Sequence, residues 1–197
     1  MLFKTTRRLF RGTYQYKIVL TCSFASIFRT GDMSEALSKL GSAARKSAGQ
    51  DNGYAVKLAT ELMSESNIDI RVESPWISIY TNDQKLIKRL TKLGPEHVKY
   101  VCEPEQGTSL TEGTIIMPKM DYDYRITLGK TIQEHSAFIA WADTNKKCKL
   151  TKSCIKDLLK PRSWGGTHFY ITGDNNLLMA RMHLGGSISK VERIVKK

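Results

Sequence analysis

Seven cations, Lys146, Lys147, Lys149, Lys152, Lys156, Lys160 and Arg162, fall within seventeen residues and are opposed there only by Asp157. Trp164 and the pair Gly165-Gly166 follow directly. Cations at this density suit phosphates, because each phosphate neutralised releases condensed counterions. An indole beside them adds a surface on which a base can stack. Lys152, Lys156 and Lys160 recur every four residues, so a helix from Thr151 to Lys160 would carry them as one stripe. Ile155, Leu158 and Leu159 would then face the core, and Pro161 would end the helix before a mobile loop, Arg162 to Gly166.

Arg7, Arg8 and Arg11 form a second group, in a stretch that carries no acidic residue before Asp32. They read as a basic arm or edge strand. An arm of this kind adds affinity and salt dependence rather than sequence preference. The expected binding residues are therefore Arg7, Arg8 and Arg11 with the lysine cluster, Arg162 and Trp164.

Covalent chemistry is harder to place. A nucleophilic Ser or Cys needs a base within reach. The four histidines (His97, His135, His168, His183) stand alone, with no H-x-H, H-E-x-x-H or G-x-S-x-G context. His168, in an expected strand near the glycine pair, is the one histidine worth testing. Gly165-Gly166 and Gly185-Gly186 lack the frame of a phosphate-cradling loop. No two of the four cysteines (Cys22, Cys102, Cys148, Cys154) are spaced C-x-x-C, and no histidine near Cys148 and Cys154 completes a zinc site. Asp83 and Asp174 each have an adequate structural task as helix caps. No catalytic residue, metal or cofactor is assigned, and the reading leans away from an enzyme. Asn176 to Ile188, with Leu-Leu ahead of Leu-Gly-Gly-Ser-Ile, resembles a short part of a homing-endonuclease repeat. The acidic helix motif of that family is absent from both halves, so no nuclease site carries over.

The elements that position these residues come as a duplication. Tyr14-Gln15-Tyr16-Lys17-Ile18-Val19-Leu20 matches Tyr122-Asp123-Tyr124-Arg125-Ile126-Thr127-Leu128, a strand pattern with period 2 whose Tyr, Tyr, Ile and Leu share a buried face. Further on, Tyr80-Thr81-Asn82-Asp83 matches Ile171-Thr172-Gly173-Asp174, an apolar strand ending in Thr-x-Asp. Helices follow at Gln84 to Leu93 and Asn175 to Leu184, each stopping at Leu-Gly, where glycine takes a left-handed conformation. Short strands then run from Val98 to Cys102 and Val191 to Val195. Each half has room for two earlier helices. These are Met33 to Ser47 and Tyr54 to Ser64, then Thr131 to Asp143 and Thr151 to Lys160. In the third of these, Ile132, His135, Ala137, Phe138, Trp141 and Ala142 supply the apolar spacing. The expected fold is α/β, with α+β the variant. It holds two similar β-α-α-β-α-β units related by a pseudo-twofold axis. They span 1–103 and 121–197, with 104–120 as linker and Thr114 to Met117 as a further possible strand.

Charge sets the class of partner. The chain of 197 residues carries 31 Lys and Arg against 19 Asp and Glu, a net +12. The excess is uneven: +7 in residues 1–48, −2 in 49–120 and +7 in 121–197. The expected function is non-catalytic binding of DNA or RNA through phosphates. A regulatory or structural protein docking on an acidic protein partner is the alternative, and a metal-dependent nuclease with unrecognised motifs is less favoured. No apolar run is long enough to span a bilayer, and no secretion signal is evident. A cytoplasmic, nucleoid or nuclear setting is expected. Mitochondrial targeting is disfavoured, because the basic stretch lacks serine richness and runs straight into the repeated strand.

Overall fold

The computed structural model describes residues 2–46, 52–105, 108–130 and 134–196. The chain divides into two units, Met1–Glu112 and Gly113–Lys197. The first runs β1 (Leu2–Thr6), β2 (Tyr16–Thr21), α1 (Met33–Lys46), α2 (Gly53–Met63), β3 (Ile68–Glu73), β4 (Trp76–Thr81), α3 (Gln84–Leu93) and β5 (Val98–Pro104). The second runs β6 (Thr114–Ile116), β7 (Tyr124–Leu128), α4 (Ser136–Thr144), β8 (Cys148–Leu150) and α5 (Lys152–Leu158). It continues with β9 (His168–Ile171), α6 (Asp174–Leu184) and β10 (Ile188–Val195).

The sheets repeat each other strand for strand, β1-β5-β2-β4-β3 in one unit and β6-β10-β7-β9-β8 in the other. In both, the leading strand pairs parallel with the last, and every other pairing is antiparallel. Without the leading strand, each sheet has the order of a split βαβ, ferredoxin-like layout. That layout hosts many unrelated functions and assigns none by itself. The chain is thus an α/β protein with a two-unit repeat.

Helices cover one face of each sheet. Alternation places Ile18 and Leu20 of β2 with Ile77 and Ile79 of β4, and these pack on Leu40, Leu58, Leu62, Leu86 and Leu90 of the three helices. In the second unit Ile126, Leu128, Phe169 and Ile171 pack on Phe138, Leu158, Ala180 and Leu184. Burial of this apolar surface drives both units to fold.

Several sequence expectations change. Each unit has a strand the β-α-α-β-α-β reading lacked, β3 and β8, while the leading strands, β1 and β6, lie where an edge strand and a further strand were expected. The helix pairs are not equivalent. α1 and α2 are consecutive, whereas β8 separates α4 from α5, so α5 replaces the tight Ser74-Pro75 turn that joins β3 to β4. The third expected helix begins at Ser136 rather than Thr131, and Ile132 lies outside the described residues. The unit boundary falls inside the expected linker, whose second part is strand β6.

Tyr14 and Tyr122 do not share the face of the isoleucines. They precede their strands and pack on Tyr80 and Tyr170, at 6.4 and 5.9 Å between ring centroids. Asp83 caps α3 by accepting from the Lys85 amide at 2.7 Å, but Asp174 is the first residue of α6 and accepts from the Tyr124 hydroxyl instead. Both helices end at glycine, yet only Gly185 has positive φ. Gly94 is extended, and a side chain there would strike the Tyr54 ring.

Candidate nucleic-acid interface

The lysine-rich segment folds as a short capped helix. The Thr151 hydroxyl accepts from the Cys154 amide at 3.2 Å, and Cys154 and Leu158 are fully buried. That orientation leaves Lys152 and Lys156 exposed on the helix layer. Lys160 does not continue their stripe. The helix ends at Leu158, Leu159 is exposed rather than buried, and Lys160 pairs with Asp157 at 3.2 Å. Partial desolvation raises the Asp157 carboxyl, but hydrogen bonds from Lys160 and Thr167 outweigh it and hold the group below its ordinary range.

The other cations divide between surfaces. Lys146 and Lys147 are exposed in the turn between α4 and β8. Lys149 lies on β8 in register with Tyr170, which puts it on the sheet face the helices leave bare. Arg162 and Trp164 occupy the segment after α5, whose far end is tied back to β7 through the backbone. The Gly166 amide donates to the Leu128 carbonyl at 2.8 Å, and the Leu128 amide donates to the Thr167 carbonyl at 2.9 Å. Gly165 has φ +76, and a Cβ there would lie 2.1 Å from the Gly129 carbonyl oxygen.

Trp164 follows α5 on this segment and is 86% exposed. Lys130, which the sequence reading missed, puts its ammonium 4.8 Å from the indole centroid. Lys130 also lines a cavity of about 480 Å³ with Met182, His183 and Gly185. Its position directly after the repeated strand was visible in sequence, but nothing there linked it to Trp164.

The N-terminal segment takes the edge-strand form of the expectation rather than the arm. Leu2–Thr6 is a paired edge strand, and Phe10 to Tyr14 closes a turn over Tyr80. Arg7 pairs with Glu105 at 3.5 Å. Arg8 is exposed. Arg11 pairs with Asp69 and lies 4.9 Å over the Tyr80 ring.

A further set of cations, also missed, lies on the bare sheet face of the first unit. Lys99 stands 3.3 Å over the Trp76 ring and Lys4 4.2 Å over Tyr100. Lys17 donates to the Tyr100 hydroxyl at 3.2 Å. Alternation in β2 marks Lys17, but Lys99 and Tyr100 are consecutive and lie together where the β2–β5 register shifts, which no sequence period reports.

The corresponding face of the second unit holds a compensated cluster. Glu192 is fully buried and pairs with Lys190 at 2.7 Å and Arg125 at 3.6 Å. His168 Nδ1 lies 3.4 Å from the Arg125 guanidinium.

The cysteines are free and buried, and burial pushes Cys148 and Cys154 up to about 12, far from a thiolate at neutral pH. Burial also lowers His135 from its ordinary value, against a backbone hydrogen bond with His183. Among the described residues no group of three or more His, Cys, Asp or Glu is gathered as a metal ion requires. Among the described residues no helix is long and apolar enough to cross a membrane. Compared with protein-family models, with curated proteins and with solved structures, the chain matches none.

Proposed function

We propose that the protein binds nucleic acid without transforming it, holding phosphates through Lys152, Lys156 and Lys130 of the second unit and stacking a base on Trp164. One observation carries this reading: the indole is 86% exposed on a loop whose end is hydrogen-bonded to β7, with an ammonium against it. Folding gains nothing from presenting so large an apolar ring to water. A base, with a π-face and a phosphate attached, matches both groups.

The test is binding of labelled DNA and RNA across a salt series, with and without magnesium. Wild-type protein should bind, with affinity falling steeply as salt rises. Replacing Lys152 and Lys156 by Glu should weaken binding and flatten the slope by about two. An unchanged slope removes this patch from the interface, and cleavage that requires magnesium replaces binding with nuclease activity.

A second reading, docking on an acidic protein partner, draws on α6, where Leu178 is 59% and Met182 71% exposed. Apolar side chains of this kind are covered by proteins rather than polynucleotides. Failure to retain DNA or RNA even at low salt would favour it.

A further inference from the structure

We infer that the bare sheet face of the first unit is a second, separate site, which takes single-stranded nucleic acid by stacking bases on Trp76 and Tyr100. This rests on the reading of the protein as a nucleic-acid binder but on different residues, in the other unit.

The registers place the groups. Trp76 of β4 is opposite Thr21, and Tyr100 of β5 is opposite Val19, with β2 running between the two strands. Both residues alternate out of phase with Ile77, Ile79 and Val101, which belong to the core under the helices. Trp76 and Tyr100 thus stand on one face, two strands and two residues apart, about 10–12 Å by sheet geometry. Trp76 is 41% exposed and Tyr100 is half-buried. Tyr80, on the same face, is excluded from stacking: Phe10, Tyr14 and Arg11 cover it.

Charge on this face is complementary to a polynucleotide. Lys4, Lys17 and Lys99 all lie against its rings. The face also carries Asp69 and Glu73 at its β3 edge, and each is already paired, with Arg11 and Arg71 respectively. The path across β4, β2, β5 and β1 therefore meets cations beside aromatic rings. Cation–π contacts are weak where water reaches them, so a base can displace Lys99 or Lys4 from its ring while the ammonium moves to the adjoining phosphate. Only a single strand offers base faces to a sheet; a duplex presents phosphates and groove edges.

The experiment compares labelled oligothymidylate, oligouridylate and a duplex of equal length by fluorescence anisotropy, using the whole chain. The double variant Trp76→Ala, Tyr100→Ala should lose about tenfold or more in affinity for single strands and stay within about twofold on duplex. Trp76→Phe, which keeps a ring, should retain most single-strand binding, and thermal melting checks that all variants fold. Comparing the two oligonucleotides shows whether the strand is DNA or RNA.

Equal losses on single strand and duplex, or no loss on single strands, would overturn the proposal. So would loss of binding in Trp76→Phe equal to that of the double variant. If Lys152→Glu, Lys156→Glu weakens binding while the aromatic double variant is inert, only this second site fails. If wild-type protein binds none of the three probes, both readings fail.

Discussion

The two units place different chemistry on one frame. Lys17 on β2 and Arg125 on β7 occupy the same place, each facing a tyrosine on the third antiparallel strand, Tyr80 or Tyr170. Across the other edge Lys17 faces Cys102, whereas Arg125 faces Glu192. The second unit has supplied its own anion, and that carboxylate is fully buried beneath Arg125 and Lys190. The first unit has not. Its cation meets a thiol and the Tyr100 hydroxyl, and the nearby ammoniums of Lys17 and Lys4 partly offset the desolvation that raises the Cys102 thiol. A sheet face whose cations are internally neutralised has little left for phosphates. In the second unit exposed cations lie in the α4–β8 turn, on β8, on α5 and beside Trp164, and α5 with its loop is an insertion that the first unit lacks.

The largest effect should come from removing that internal anion. Glu192→Ala leaves Arg125, 18% exposed at its side chain, without its carboxylate. An uncompensated charge in such a place costs about 2–4 kcal/mol of stability, the range for broken buried pairs reduced for partial exposure. Cys102→Ala, at the matching position, removes one buried sulfur and should cost only about 1 kcal/mol. Denaturant unfolding with amide exchange on β7 and β2 separates the two. Equal costs would mean that Glu192 is a spectator.

Next in size is the loop that presents Trp164. Gly165→Ala forces a methyl to within 2.1 Å of the Gly129 carbonyl at positive φ, so the loop must leave its seat. Stability should fall by about 1–3 kcal/mol, and binding that depends on Trp164 should fall with it. Gly166→Ala, also at positive φ but in open space, pays only the backbone strain, about 1 kcal/mol. If Gly165→Ala binds normally, the tie to β7 is not what positions the indole.

The repeat was legible because two features survive in both copies: the Tyr-x-Tyr-basic-Ile-x-Leu strand and the strand that runs through Thr-x-Asp into a helix ending at Leu-Gly. What escaped has physical causes. β8 is three residues long, too short to generate a period, whereas α5 was legible from its spacing and only its end at Leu158 was not. Tyr14 and Tyr122 fit the alternation by residue type, but the chain turns before each strand and sends them to the other face. The cation density of 146–162 was plain, whereas its division among a turn, a strand and a helix required the topology. Lys99 over Trp76 and Lys130 over Trp164 join residues 23 and 34 positions apart, and no local pattern reports such pairs.

The smallest effect tests how far the two copies have parted at a position that looks identical in sequence. Asp83 accepts from the Lys85 amide as a helix cap, while Asp174 begins its helix one position later in role and binds the Tyr124 hydroxyl. Asp83→Ala removes a partner from an orphan backbone donor and should cost about 1 kcal/mol. Asp174→Ala gives up an exposed contact and a favourable charge near the helix start, about 0.3–0.5 kcal/mol. Amide exchange in the first turns of α3 and α6 reads each locally. The cap in α3 should be the more sensitive site; a larger loss in α6 would mean that the Tyr124 contact, tying β7 to α6, has become the stronger fastening.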